Sequence, residues 1–168
     1  MDYLGLDKGK VEKTARKINE LLASYQMHYQ KLRNFHWNLK STQFFVLHEK
    51  FEEFYNDANA KIDDIAERIL TLGVQPLSQL SEYVEFSQIE PCSENLDDKR
   101  MVKEVLKDFI ILIKLEREVI KLADDAEDEG TIDMMGGFLG GLEKMSWMLT
   151  SWLKKHDTKE VEMTSVHS

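Results

Sequence analysis

The chain has 168 residues and a formal net charge of −9 at pH 7, with 32% charged and 42% hydrophobic residues. This length can bury a core as one domain, 1–168, and the single cysteine, Cys92, excludes an internal disulfide and any multi-cysteine zinc or redox motif. The negative balance opposes nucleic acid and anionic membrane over most of the surface and favours cations. No segment reaches the roughly 18 uninterrupted apolar residues of a membrane span. The start, "MDYLGLDKGK", lacks the basic and apolar regions of a secretory leader, so a cytoplasmic location is expected.

In chain order the pattern is helical almost throughout. Val11, Ala15, Ile18, Leu22, Tyr25, Tyr29 and Leu32 alternate spacings of four and three, which predicts a first helix over about 8–38. Phe44, Phe51, Tyr55, Ala58, Ile62, Ile65, Ile69 and Leu72 continue that period, and Gly73 supplies a stop. Both prolines, Pro76 and Pro91, fall in the next segment, which has room for one short helix over about 77–84. Asn95 can cap a third long helix through Val102, Val105, Phe109, Leu112, Glu116 and Ile120 to about Asp124. A fourth runs from about Thr131 to Lys155 with Met134, Phe138, Leu142, Met145, Met148, Leu149 and Trp152 inward. The expected fold is all-α, a four-helix bundle with a short helix in one long crossover. Residues 1–8 and 156–168 are expected as flexible tails.

The second helix carries a further pattern. On a helical wheel His48, Glu52, Asp63 and Glu67 fall within roughly 100° of one another, beside the apolar stripe. Taken singly, His36 and His48 read as packing residues, Trp37 likewise, and Asp63 and Glu67 as a solvated face pairing with Lys61 or Arg68. Taken together they suit a metal. Yet His48 and Asp63 are about 22 Å apart along one helix, far beyond metal–ligand bonds of about 2 to 2.6 Å. A second helix packed antiparallel about a two-fold axis near residues 57 and 58 would bring the ends together. His36, beside the turn between the first two helices, could join His48. Two imidazoles and three carboxylates, His36, His48, Glu52, Asp63 and Glu67, suit iron better than calcium or structural zinc.

These residues also carry a likeness. The stretch "HWNLKSTQFFVLHEKFEEFYNDANAKIDDIAERILTLG", residues 36–73, resembles the signature of the Dps family of mini-ferritins, the DNA-binding proteins from starved cells. The resemblance implies a ferritin-like bundle assembled into a hollow dodecamer with intersubunit di-iron ferroxidase sites. It implies that Fe(II) is oxidised, with hydrogen peroxide preferred to oxygen, and stored as ferric mineral, protecting against oxidative stress. His36 and His48 match ligands from one subunit, and Asp63 and Glu67 match carboxylates from its partner. Glu52 stands where many relatives have Asp. Trp37 matches a tryptophan beside the iron that could take up an oxidising equivalent.

The resemblance also makes "DDAEDEGTID", residues 124–133, the lining of an ion-entry pore through Asp124, Glu129 and Asp133. The plain reading is an acidic turn whose second half suits a helix N-terminus. In "GGFLGG", Gly136 to Gly141, the spacing permits close helix packing through Gly136 and Gly140 or Gly137 and Gly141. A larger-cage ferritin would need Glu-x-x-His motifs, which are absent. A DNA-compacting or structural shell with little redox activity is the alternative. Neither end carries an excess of lysine and arginine, so DNA binding at physiological salt is expected to be weak or absent.

Overall fold

The structure is a computed structural model that describes residues 4–92 and 96–165, with side chains described as far as Lys155. Five helices follow in order: α1 (Lys8–Asn38), α2 (Phe44–Thr71), α3 (Leu80–Phe86), α4 (Asp98–Asp125) and α5 (Glu129–Ser165). Among the described residues there is no strand, and the all-α four-helix bundle expected from the periodicity is the fold.

Cross-helix pairs fix the directions. Tyr29 meets Tyr55 and His36 meets His48, so α1 and α2 run antiparallel. Thr14 bonds Leu122 and His28 bonds Asp108, so α4 is antiparallel to α1 and therefore parallel to α2. Two parallel helices cannot be joined by a tight turn. The chain must travel the length of the bundle between them, which residues 72–97 do, with α3 packed on α1. The turns into α2 and α5 join antiparallel neighbours and are short.

Side-chain chemistry places the helix ends. Asp7 caps α1 by accepting the Lys10 amide at 2.9 Å. At the far end of α2, Gly73 adopts φ 77°, its amide bonds Leu70 and that of Val74 bonds Ile69, a Schellman stop. The short helix begins at Leu80 instead of 77, because Glu82 accepts the amides of Ser78 and Gln79, both at 2.9 Å, as part of a capping box. Asn95 lies outside the described residues. The cap of α4 is Asp97, which accepts the Arg100 amide at 2.9 Å. The last helix starts at Glu129 and its backbone stays helical beyond Lys155 to Ser165, a stretch without glycine or proline to stop it.

The core is the expected apolar seam with three revisions. On α2 the buried row is Leu47, Phe51, Phe54, Ala58, Lys61, Ile65 and Ile69, so a lysine sits in the core register. On α5 Met135 is fully buried while Met148 is 42% exposed, the reverse of the expected choice. Around Gly136, Gly137 and Gly140 a Cβ would meet nothing within 4 Å, so these glycines serve no close helix packing within the subunit.

Candidate metal centre

His36 lies in the last turn of α1 and His48 near the start of α2, on either side of the connection 39–43. His36 Nδ1 is 2.8 Å from the carbonyl oxygen of His48, and His48 Nδ1 is 3.0 Å from that of His36. A carbonyl only accepts, so each Nδ1 must donate. In the neutral rings both Nε2 atoms then keep their lone pairs, the form in which imidazole binds a metal. The rings stack with centroids 3.7 Å apart and a 20° tilt. Phe44 stacks on His48 at 4.8 Å, and Tyr55 meets His36 edge-on at 5.3 Å. The backbone exchange and the aromatic stack therefore fix both imidazoles before any ligand arrives.

Glu52 is exposed one turn after His48, close to Tyr55. Burial, then the nearby Glu52 charge, raises the Tyr55 pKa above the usual phenol value. Asp63 and Glu67 are exposed further along the same helix. Neither basic neighbour is directed at them: Lys61 Nζ bonds Asp57 at 2.7 Å, and Arg68 pairs with Asp128. The plain reading of Asp63 and Glu67, as partners of Lys61 or Arg68, thus loses its cations.

The structure brings His36, His48 and Glu52 to one end of the α1–α2 pair and leaves Asp63 and Glu67 near the other. Among the described residues, no three His, Cys, Asp or Glu side chains of one chain converge to hold a metal. Trp37 is 58% exposed, with the Arg33 guanidinium 4.6 Å above its ring. That guanidinium also lies 5.2 Å from the Tyr29 ring.

Asp124, Glu129 and Asp133 are all exposed around the α4–α5 turn. This turn is a second Schellman stop, with Asp128 N bonding Ala123 and Glu127 N bonding Asp124, but its left-handed residue is Glu127 at φ 55°. Arg68 holds the turn from α2: it donates to Thr131 Oγ1 at 2.9 Å and pairs with buried Asp128. A Cβ on Gly130 would come within 3.1 Å of that guanidinium, so the small residue makes room for it. The acidic turn and the Glu67 end of α2 are therefore mechanically tied.

The pairings between buried polar groups were missed by pattern reading. His28 and Lys31 both bond Asp108, at 2.9 and 2.7 Å, with all three buried. Tyr25 donates to Glu116 at 2.6 Å inside the bundle. The available signal was register: Lys61 and Glu116 occupy core positions of their helices.

The helix order, the long crossover between parallel helices and the acid- and histidine-bearing α2 define a ferritin-like bundle, and residues 15–158 match the family model of the ferritin-like domain. The chain aligns with the crystal structure of a Dps protein from Vibrio cholerae O1, described as a member of a broad superfamily of ferritin-like diiron-carboxylate proteins. The TM-score is 0.88 at 39% identity, covering 91% of this chain and 96% of that one. It is 39% identical over 155 residues to a DNA protection during starvation protein of Porphyromonas gingivalis, covering 92% of this chain and 98% of the relative. It is 37% identical over 142 residues to general stress protein 20U of Bacillus subtilis, covering 84% and 98%. The chain belongs to the Dps family of ferritin-like proteins. No described helix is long and apolar enough to cross a membrane.

Proposed function

We propose that this protein is a ferroxidase and iron store that oxidises Fe(II) at sites shared between two subunits, with hydrogen peroxide as preferred oxidant. The observation that carries the reading is the reciprocal hydrogen bonding of His36 and His48, which leaves two preorganised Nε2 donors with, among the described residues, no third His, Cys, Asp or Glu of the same chain converging on them. Asp63 and Glu67 of the partner subunit complete the set when α2 packs antiparallel on its copy. Imidazole and carboxylate together suit iron. Twelve subunits forming a hollow shell would hold the ferric product, and the Asp124, Glu129 and Asp133 carboxylates at its pores would concentrate the incoming cation.

The chain's own residues have separate tasks. His36 and His48 bind the substrate Fe(II), and Glu52, with Asp63 and Glu67, offsets its charge. Two Fe(II) ions each give one electron, and one hydrogen peroxide accepts both, so no hydroxyl radical need be released. Peroxide reduction yields two hydroxides, which take up part of the acid formed when the two Fe(III) ions hydrolyse to FeO(OH), so the net release is about four protons for each peroxide consumed. Trp37, on the surface beside His36, can supply an electron to an oxidant left over when iron is short.

The test compares Fe(II) oxidation by peroxide in the unaltered protein and in His36→Ala/His48→Ala, with oligomeric state checked by light scattering. Loss of both imidazoles is expected to slow oxidation at least tenfold, on the order seen when metal-site partners are removed. Equal rates in an intact oligomer would refute the site.

A further inference from the structure

Ferritin-like di-iron proteins hold their metals inside the bundle, using a Glu from each of two helices and a Glu-x-x-His from each of the other two. This chain has no Glu-x-x-His, but its interior is not apolar either. Lys61 of α2 is only 8% exposed. Its Nζ lies 2.7 Å from Asp57, 5.9 Å from the Tyr25 ring on α1 and 5.3 Å from the Phe138 ring on α5. A Cβ on Gly141 would stand 3.9 Å from that nitrogen, so α5 presents its smallest residue to the ammonium. From α4, Glu116 is fully buried: Oε1 accepts the Tyr25 hydroxyl at 2.6 Å, and Oε2 makes no hydrogen bond. A cavity of about 60 Å³ lies against Tyr25, Asp57, Lys61, Phe109, Gly141 and Met145. His28, which also lines the cavity, is held by Asp108.

We propose that Lys61 is the resident cation of the bundle interior: its buried ammonium, paired with the exposed carboxylate of Asp57 and lying near the Tyr25 ring whose hydroxyl holds Glu116, occupies the space where a divalent metal would otherwise sit, and so keeps metal out of the interior. The charge inventory supports this. One ammonium faces two carboxylates, Asp57 takes the direct ion pair, and the remaining deficit falls on Glu116, whose pKa burial raises to about 7 although Tyr25 and Lys61 both pull it down. A metal entering beside the ammonium would meet a like charge at low dielectric. Removing the ammonium would leave a space with carboxylates, a phenol and no cation. Metal would then be directed to the subunit boundary not only by ligands there but by exclusion here.

The inference does not require the shared site to exist, and its test is done without that site. In a His36→Ala/His48→Ala/Asp63→Asn background, Lys61→Glu replaces the ammonium by a third carboxylate. Co(II) binding is followed by calorimetry and by visible absorption of the bound ion. One additional Co(II) per chain is expected with Lys61→Glu and none without it, and adding Glu116→Gln should abolish the gain. A folded Lys61→Glu protein that binds no additional Co(II), or whose gain survives Glu116→Gln, overturns the proposal. If Lys61→Glu does not fold, Glu116→Gln alone in the otherwise unaltered protein decides. Unchanged Co(II) stoichiometry supports an interior closed by Lys61, whereas loss of one ion per chain shows that metal already enters beside it.

Discussion

A buried carboxyl such as Glu116 makes stability depend on pH. Its pKa is about 7 in the folded chain against 4.5 for an ordinary glutamate. Between these values the folded carboxyl keeps a proton that the unfolded one has lost, so stability falls as pH rises through the window and then levels off. The full span corresponds to about 3 kcal/mol at roughly 1.4 kcal/mol per pKa unit. Glu116→Gln cannot ionise and still offers Tyr25 an acceptor. It is expected to melt higher than the unaltered protein at about pH 8 and to lose most of that advantage near pH 5. Equal differences at both pH values would mean that Glu116 titrates normally. Asp108 shows the opposite risk. Its carboxylate holds Lys31 at 2.7 Å with both side chains buried. Asp108→Asn should therefore destabilise by about 3–5 kcal/mol in chemical denaturation, because an ammonium is left without a counter-charge.

Helix ends and helix faces carry the next set of consequences. The stops of α2 and α4 share one hydrogen-bond pattern, but only the first has glycine in the left-handed position, Gly73 at φ 77°. Gly73→Ala forces a Cβ into that conformation and should cost about 1 kcal/mol, whereas the mid-helix change Gly136→Ala meets no neighbour and should raise stability by a similar amount. Thermal melting of the two variants reads the contrast directly, and a destabilised Gly136→Ala would reveal a contact made by another subunit. The Gly73 stop was legible because glycine announces it. The Glu127 stop was not, since nothing in a glutamate signals φ 55°. The start of α3 was misplaced for a related reason: Glu82 bonds amides before the helix, an interaction that periodicity does not register.

For the whole molecule, the helical rise makes sharing testable by complementation. A chain with His48→Ala and a chain with Asp63→Asn should each form inactive assemblies. Refolded together in equal amounts, about one quarter of the shared sites would draw intact halves from both chains. Peroxide-driven Fe(II) oxidation should return to about that fraction; no recovery in a verified mixed assembly would argue for a site within one chain. Charge leads to a second expectation. At a net −9 over these 168 residues, the assembly should give no gel shift with duplex DNA at about 0.15 M salt. A tight, salt-sensitive complex would overturn it and support the DNA-compacting reading.

Periodicity alone determined the four long helices and the crossover, because apolar spacing of three and four is a property of each helix by itself. It also marked His36, His48, Glu52, Asp63 and Glu67 as a set too extended for one helix to close. Only the tertiary structure decided how the imidazoles are held, since the exchange between His36 and His48 joins two helices through backbone groups that carry no sequence signal. It also decided that Lys61 points inward and what Glu116, already on the stripe of the third long helix, meets there. A charged residue in a core register reads as an exception to the stripe until Asp57, one turn back on the same helix, and the facing helices' Tyr25 and space beside Gly141 surround it. Burial of charge is set by what surrounds it, and those surroundings come from parts of the chain far apart in sequence.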